Sequence, residues 1–426
     1  MSMGFVIILA FAALFIFGFP VVLSILIPAV IYIVLSDFPI ELISQRMVYA
    51  LDSFPLVAVP IFIFVGNLMN QAGITRRIFR FADTLVGRMP GGLAQVNIFS
   101  SLIFSGMSGA ALADVGGLGR IEVKAMKERG FKGDFAAAVT CASAIVGPIF
   151  PPSIPLIIYG SITSVSIVQL LLAGIIPALI CVILLMITTG ALSMRRNYPR
   201  SDRWPHFGEV IRDLFPALPA LLAPVILVAG MVFGFFTPTE AASVTVVYVL
   251  LISSIVYREL KWTHILYSAF ETAKSTSAIL IIVSAAALFG WILAVEQIPQ
   301  LFAQNLLTLS RDPMVLLLIA NLILLVVGMF LDSTTATLLV IPIIAGPLHL
   351  AGVDPVHLGI VAIFNLMLGL VTPPMGLALF LITDIAQVSM RDVLKAMVPY
   401  YIPLLGTLIL ITYFPDIVLY FPKMMR

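Results

Sequence analysis

The chain has 426 residues, of which 61% are hydrophobic and 10% are charged, and its mean hydropathy is +1.15. Soluble domains carry about 25% charged residues, so the composition excludes a soluble globular protein and indicates an integral membrane protein. The net charge is only +2, and the two cysteines lie inside apolar runs without the spacing of metal ligands.

Apolar runs of about 15 to 25 residues recur along the chain, a length that suits α-helices crossing a hydrocarbon core about 30 Å thick. The sequence lacks the regular alternation of apolar and polar residues that is typical of an outer-membrane barrel. The predicted fold is therefore an all-α polytopic membrane protein. Because the first run is followed by further spans, we do not interpret it as a cleaved signal peptide.

The first half of the chain, residues 1–205, predicts three spans, a re-entrant hairpin, a proline-broken span and a last span. The spans fall at 4–17, 20–36 and 52–70, the hairpin at 93–118, the broken span at 135–160 and the last span at 167–192. Residues 71–90, between the third span and the hairpin, mix arginines with apolar side chains. This stretch predicts an amphipathic helix in the membrane interface.

The second half, residues 206–426, predicts the same elements in the same order. Its spans fall at 216–235, 239–257 and 272–294, the hairpin at 314–346, the broken span at 357–386 and the last span at 399–421. The polar stretch Arg195 to Asp213 joins the halves. Each half is predicted to cross the membrane an odd number of times, so the halves are inverted relative to each other, as in many secondary transporters.

Basic residues determine the predicted orientation of the first hairpin. Stretches rich in Lys and Arg precede residue 93 and follow residue 118, and the positive-inside rule places both in the cytoplasm. The segment therefore enters and leaves on one side, with a Gly/Ser tip predicted at Ser105 to Ala110. The second hairpin is predicted to open to the periplasm, and its flanks carry one basic residue, Arg311.

Glycines and prolines at equivalent places in the two halves predict breaks in the membrane helices. The recurring residues are Gly106 and Gly328, Gly147 and Gly369, and the pairs Pro151–Pro152 and Pro373–Pro374. Irregular backbone at membrane depth is tolerated only where protein or a water-filled cavity surrounds it. A break exposes carbonyl oxygens, which suit a cation, and amide hydrogens at the next helix start, which suit an anion. With nearby hydroxyls, these carbonyls form a predicted ligand set for Na⁺.

Each of these features also has a purely structural interpretation. A proline pair is often only a kink, and Ser105 and Ser108 could serve close helix packing. Asp332, the one acid predicted deep in an apolar segment, is either functional or the N-cap of the following half-helix, and the two roles are compatible. Glu240 is predicted to have a structural role at a helix start.

The chain resembles, over essentially its whole length, the large membrane subunit of the tripartite ATP-independent periplasmic (TRAP) transporters. The matching motifs are SGMSGAALAD at 105–114, GPIFPPSIPL at 147–156, TPTEAA at 237–242, GMFLDSTTA at 328–336 and GLVTPP at 369–374. One departure is Met107, where the family often has serine, which weakens a side-chain role at this position.

The resemblance implies Na⁺-driven uptake of an organic acid by an elevator-type mechanism in the bacterial inner membrane. It also implies a periplasmic binding protein that delivers the substrate and a small four-helix membrane subunit. One implied sodium site uses Ser105, Ser108, Gly147 and Phe150 or Pro152. The other uses Gly328, Asp332, Thr372 and Met375, mostly through backbone oxygens. The substrate carboxylate is expected between them, at Ser153, Gly109, Ser333 and Pro374.

Other functions compete with this one. A stand-alone sodium carboxylate symporter would need no partner protein. An intramembrane serine protease is suggested by the G-x-S-G shape of Gly106 to Gly109, but such an enzyme needs a base beside its nucleophile, and the four histidines fall in loops or at span ends. A channel is disfavoured because inverted repeats with mid-membrane breaks suit alternating access. We therefore expect neither enzymatic activity nor a nucleic-acid partner.

Overall fold

The computed structural model of the chain describes residues 3–200, 206–310 and 312–424, and for residues 105–108 and 307 it describes the backbone alone. Regular structure throughout these ranges is helical, which confirms the predicted all-α fold. The predicted basic flank Arg311 and the side chains of Ser105 and Ser108 lie outside this description.

The described helices of the first half run from α1 to α12. They are α1 (Met3–Ile16), α2 (Val21–Leu35), α3 (Glu41–Tyr49), α4 (Phe54–Gln71), α5 (Ile74–Val86), α6 (Leu93–Ser108), α7 (Ala111–Gly116), α8 (Leu118–Glu128), α9 (Gly133–Ala144), α10 (Ile154–Thr163), α11 (Ile167–Ala173) and α12 (Ile175–Arg196).

The described helices of the second half run from α13 to α22, with a π-helical turn (Ile252–Val256) after α14. They are α13 (Phe207–Val232), α14 (Pro238–Leu251), α15 (Trp262–Val295), α16 (Ile298–Leu309), α17 (Pro313–Gly328), α18 (Ser333–Leu350), α19 (Pro355–Leu370), α20 (Leu377–Ala386), α21 (Met390–Tyr413) and α22 (Pro415–Met424).

Seven helical stretches within the described ranges are long and apolar enough to cross a membrane unaided. They are Phe54–Gln71, Ile167–Arg196, Phe207–Val232, Pro238–Val256, Trp262–Val295, Ser333–Leu350 and Met390–Tyr413. The two segments predicted to be broken by prolines are each a pair of shorter helices separated by irregular residues, α9 with α10 and α19 with α20. The inverted orientation of the two halves stays a prediction.

Several elements differ from the prediction. The first hairpin tip lies at Gly109 and Ala110, because α6 continues as a helix to Ser108. The predicted tip at Ser105 to Ala110 therefore began too early, since single Gly and Ser residues cost a packed helix only about 1 kcal/mol. The last predicted span, 399–421, is divided between α21 and α22. Helices α3 and α16 were not predicted, because they are too short to give a spanning signal.

Side-chain caps determine where helices α14 and α18 begin. The Thr237 amide donates to Glu240 Oε2 over 2.8 Å in a reciprocal capping box at the start of α14, which confirms the structural role predicted for Glu240. Asp332 caps α18, and its Oδ2 accepts from the amides of Thr334 at 2.9 Å and Thr335 at 3.1 Å. The N-cap interpretation of Asp332 is therefore confirmed.

Most of the helices pack as two groups, and α5, α16 and α22 are assigned to neither. In the first, which we call the wall group (α1–α4 and α13–α15), α4 packs against α14 and α15. In the second, the hairpin group (α6–α12 and α17–α21), α9 packs against α6 and α21, and α17 packs against α19. The groups meet where α15 contacts α18 and where α4 contacts α6 and α10. Nearly all residues of α9 and α19 are buried, so the broken helices lie at the core of the hairpin group.

The predicted amphipathic helix is α5, which ion pairs attach to the wall group. Arg77 Nη2 lies 2.7 Å from Glu259 Oε1, and Arg80 Nη2 lies 3.1 Å from Asp213 Oδ1. The same helix packs against α6, the first arm of the first hairpin. Helix α5 therefore connects the wall group to the hairpin group.

Candidate ion and substrate site at the helix breaks

The first break, between α9 and α10, is enclosed. Residues 145–153 are buried except for Phe150, which is partly exposed. The peptide bond between Pro151 and Pro152 is cis. Proline supplies no amide hydrogen, so the carbonyl groups around the pair have fewer backbone partners than they would have in a helix. The first break therefore concentrates carbonyl oxygens in a space closed to lipid.

Ser153 ends the first break. Its Oγ accepts from the Leu156 amide at 3.2 Å as the N-cap of α10, and it donates to the Pro148 carbonyl. The side chain is fully buried. Because the hydroxyl makes both bonds inside the break, the substrate contact predicted for Ser153 rests on the helix N-terminus that it caps.

The second break, between α19 and α20, is open where the first is enclosed. Pro373, Pro374 and Met375 are all exposed, and the Pro373–Pro374 bond is cis. The Thr372 hydroxyl donates to the Leu368 carbonyl over 2.7 Å, which leaves its oxygen lone pairs as acceptors. The two breaks therefore present similar oxygen atoms, but those of the first break are buried and those of the second break are more exposed.

Each hairpin tip contacts the break of its own half through the backbone. At the first tip, the Gly109 carbonyl accepts from the Ile154 amide at 3.4 Å. Gly109 has a φ of +61°, and an ideal Cβ there would lie 2.7 Å from the Pro152 carbonyl oxygen. At the second tip, the Met329 carbonyl accepts from the Gly376 amide at 3.0 Å. The amide donor is therefore at the start of the second half-helix in both halves.

Two glycines bring the second tip against the second break. An ideal Cβ on Gly369 would lie 2.6 Å from the Gly328 Cα and 2.8 Å from the Gly328 carbonyl oxygen. An ideal Cβ on Gly328 would lie 2.9 Å from the Leu366 carbonyl oxygen. Because backbone atoms cannot rotate away as a side chain can, both positions require glycine.

The predicted site residues fall on two pairs of elements. The first tip and the first break carry Gly109, Gly147, Phe150, Pro152 and Ser153. The second tip and the second break carry Gly328, Asp332, Ser333, Thr372, Pro374 and Met375. Oxygen donors dominate both sets, and Na⁺, a hard cation, favours such donors. Whether these residues bind an ion stays a prediction.

Buried polar side chains bond each hairpin to its broken helix. In the first half, Asn97 of α6 donates to the Thr140 hydroxyl of α9 at 2.7 Å and accepts from the Ser143 hydroxyl at 2.8 Å. In the second half, Asn365 of α19 donates to Asn321 Oδ1 of α17 at 2.7 Å. These bonds hold a hairpin and a broken helix together as one packed unit.

Sequence reasoning missed one acid at the first break. Asp114 of α7 is 3% exposed, and its Oδ2 lies 2.5 Å from the position that a Cβ of Gly147 would occupy. The sequence pointed to Asp332 alone, and Asp114 is a further acid, buried beside the first break. A signal was present, because Asp114 ends the SGMSGAALAD motif. Its approach to Gly147 depends on how the hairpin folds, which the motif does not encode.

The family model described as "Tripartite ATP-independent periplasmic transporter, DctM component" matches residues 8–417. The chain is 42% identical over 411 residues to the sialic acid TRAP transporter large permease protein SiaM of Vibrio cholerae, covering 96% of this chain and 95% of SiaM. It is 37% identical to the sialic acid TRAP transporter permease protein SiaT of Haemophilus influenzae, covering 96% of this chain but 66% of SiaT.

A similar fold occurs in the solved crystal structure of the YdaH transporter of Alcanivorax borkumensis. The TM-score is 0.61 at 15% sequence identity, and the match covers 88% of each chain. At this identity the likeness concerns the fold alone.

Proposed function

The chain belongs to the DctM component family of the tripartite ATP-independent periplasmic transporters, and we propose that it couples Na⁺ entry to the uptake of an organic acid. It is a multi-pass protein of the inner membrane. Its relatives are transporter permeases and not enzymes, which removes the intramembrane protease from consideration.

The observation that best supports ion coupling is the meeting of each hairpin tip with a broken helix. A Na⁺ ion would bind at the first break to oxygens of Ser105, Ser108, Gly147 and Phe150 or Pro152. A second ion would bind at the second break to oxygens of Gly328, Asp332, Thr372 and Met375. Ions bound there would join a tip to a break, so binding is linked to the closure of each hairpin on its helix.

The substrate carboxylate would lie between the two ions, where helices begin. Helices α10, α18 and α20 all start at a break or a tip, and helix N-termini present amide hydrogens and positive potential to an anion. The residues proposed to contact the carboxylate are Ser153, Gly109, Ser333 and Pro374. These contacts would recognise the carboxylate of the substrate, and sialic acid, which is named in the description of SiaM, carries such a group.

Two partner proteins complete the proposed transporter. This chain covers nearly all of the large permease SiaM but 66% of SiaT, which is named simply as a permease. The additional third of SiaT is long enough for a small four-helix membrane subunit, which here would be a separate chain. A periplasmic binding protein would deliver the acid, as the description of the family as tripartite and periplasmic suggests.

We propose that transport proceeds by an elevator movement, in which the hairpin group slides along the wall group. The polar bonds Asn97–Thr140 and Asn321–Asn365 lie inside the hairpin group, so that group would move without breaking them. Helix α5, ion-paired to the wall group and packed on α6, would act as the flexible connection.

Reconstitution tests the proposal. The chain, with the small membrane subunit and binding protein encoded beside it, is placed in liposomes, and uptake of radiolabelled sialic acid and of a C4-dicarboxylate is measured. We expect uptake that requires an inward Na⁺ gradient and all three proteins. Uptake that ignores Na⁺ would overturn the ion coupling, and robust Na⁺-driven uptake by this chain alone would favour a stand-alone symporter.

A further inference from the structure

A buried carboxylate lies against the first break. Asp114 is on α7, in the second arm of the first hairpin, and only 3% of its surface is exposed. An ideal Cβ on Gly147 would lie 2.5 Å from Asp114 Oδ2 and 3.4 Å from the Ala144 carbonyl oxygen. The carboxylate therefore occupies the space that any side chain at position 147 would fill.

This arrangement gives Gly147 a specific reason to lack a side chain. Its φ is not in the left-handed region, so backbone conformation does not demand glycine here. The close approach of the carboxylate favours glycine instead, because a Cβ would have to displace it. The hairpin and the broken helix thus meet at an acid placed beside backbone carbonyl oxygens.

We propose that Asp114 supplies the negative charge of the first sodium site, with its carboxylate directed at an ion held by the first break. The inference rests on the proposed Na⁺ coupling and adds a residue to that site. The ligands proposed there from sequence are neutral oxygens, which bind Na⁺ weakly.

Electrostatics explains what a charge at this place would do. Opposite charges attract more strongly away from water than in it. A Na⁺ ion at the first break would compensate Asp114, and the loaded hairpin group would cross the membrane with that charge neutralised. Without the ion, the hairpin group would carry one more negative charge, and a membrane potential that is negative inside would favour its outward return.

A second buried acid, on helix α8 after the end of the first hairpin, provides a matched control. Glu122 of α8 is 1% exposed. Burial raises the pKa of the Glu122 carboxyl well above its usual range, and the nearby Asp114 raises it further. The neutral form of Glu122 is therefore favoured, and glutamine reproduces its shape and charge.

The test measures Na⁺ binding without requiring transport. The purified full-length chain is unfolded by heat in a series of NaCl concentrations, with KCl keeping ionic strength constant. We expect Na⁺ to stabilise the wild type specifically. Asp114→Asn should raise the Na⁺ concentration for half-maximal stabilisation by about tenfold, since one close charge is lost. Glu122→Gln should leave that concentration within about twofold of wild type.

The outcomes separate the site from the function. If Na⁺ stabilises Asp114→Asn as much as it stabilises the wild type, the proposed role of Asp114 is overturned, and the proposed coupling of Na⁺ to transport is unaffected. If Na⁺ does not stabilise the wild type more than K⁺ does, both the coupling to Na⁺ and the role of Asp114 are overturned. If Asp114→Asn does not fold, Gly147→Ala provides the second variant, because its Cβ displaces the carboxylate without removing it. A wild-type Na⁺ response in Gly147→Ala would likewise overturn the proposal.

Discussion

Gly369→Ala tests whether the contact between the second tip and the second break belongs to the proposed ion site. The new Cβ would lie 2.6 Å from the Gly328 Cα and 2.8 Å from its carbonyl oxygen, closer than Cβ atoms tolerate. Since backbone cannot rotate away, the tip must move by roughly 1 Å from the break, and overpacking of this kind costs about 1–3 kcal/mol. If the full cost falls on the ion-bound state, Na⁺ affinity falls by about 5- to 150-fold.

The assay is the Na⁺ dependence of thermal unfolding, measured beside a control from the same hairpin. Gly346→Ala places a Cβ in open space on α18, with no atom within 4 Å, so its Na⁺ response should match the wild type. Gly369→Ala should need more Na⁺ for the same stabilisation. Equal destabilisation of Gly369→Ala with and without Na⁺ would show that the contact is structural only and would refute the reasoning.

Three further predictions follow from single contacts. Thr372→Ala removes a proposed ligand and should weaken Na⁺ activation of uptake while membrane expression is unchanged; unaltered Na⁺ activation would contradict the assignment. Asp332→Ala should lower the free energy of unfolding by about 1 kcal/mol, because the cap of α18 is lost. Asp332→Asn keeps a capping side chain and should recover most of that stability, but it should not recover Na⁺ affinity if the charge of Asp332 binds the ion. Arg77 holds the pKa of Glu259 below its usual range, so the part of the stability lost in Arg77→Gln that comes from this ion pair should be largest at neutral pH. That part should shrink as pH falls below about 4 towards the lowered pKa of Glu259, while the loss of the Arg77 contacts with Tyr257 and Gly73 persists, as measured by thermal unfolding at each pH.

The sequence was sufficient to predict those features that depend on residues close together in the chain. Long apolar runs predicted the spans, and prolines predicted the breaks, because each acts on its own helix. The Thr237–Glu240 cap was within reach of the sequence for the same reason, since both partners lie in one turn. These features depend on neighbours in the chain and not on the tertiary fold.

Features that depend on long-range packing escaped sequence reasoning. Asp114 and Gly147 are far apart in sequence, and only the folded hairpin places the carboxylate beside the break. The position of the first tip depended on packing as well, because Gly and Ser residues in α6 are compatible with either a helix or a turn. Gly328 and Gly369 were each found as the counterpart of a glycine in the first half, Gly106 and Gly147, but the backbone contact between Gly328 and Gly369 required the fold.

The bonds between tips and breaks depend on the backbone and not on the side chains of the residues that make them. In the first half the amide donor at the start of the second half-helix is Ile154, and in the second half it is Gly376, which has a φ of +55°. Isoleucine has a large branched side chain and glycine has none, yet the amides at both positions donate to a carbonyl in the facing tip. The contact uses only the peptide group, which every residue but proline supplies as a donor. A contact built from backbone therefore tolerates different side chains at its two occurrences, one at the enclosed break beside Asp114 and the other at the open break.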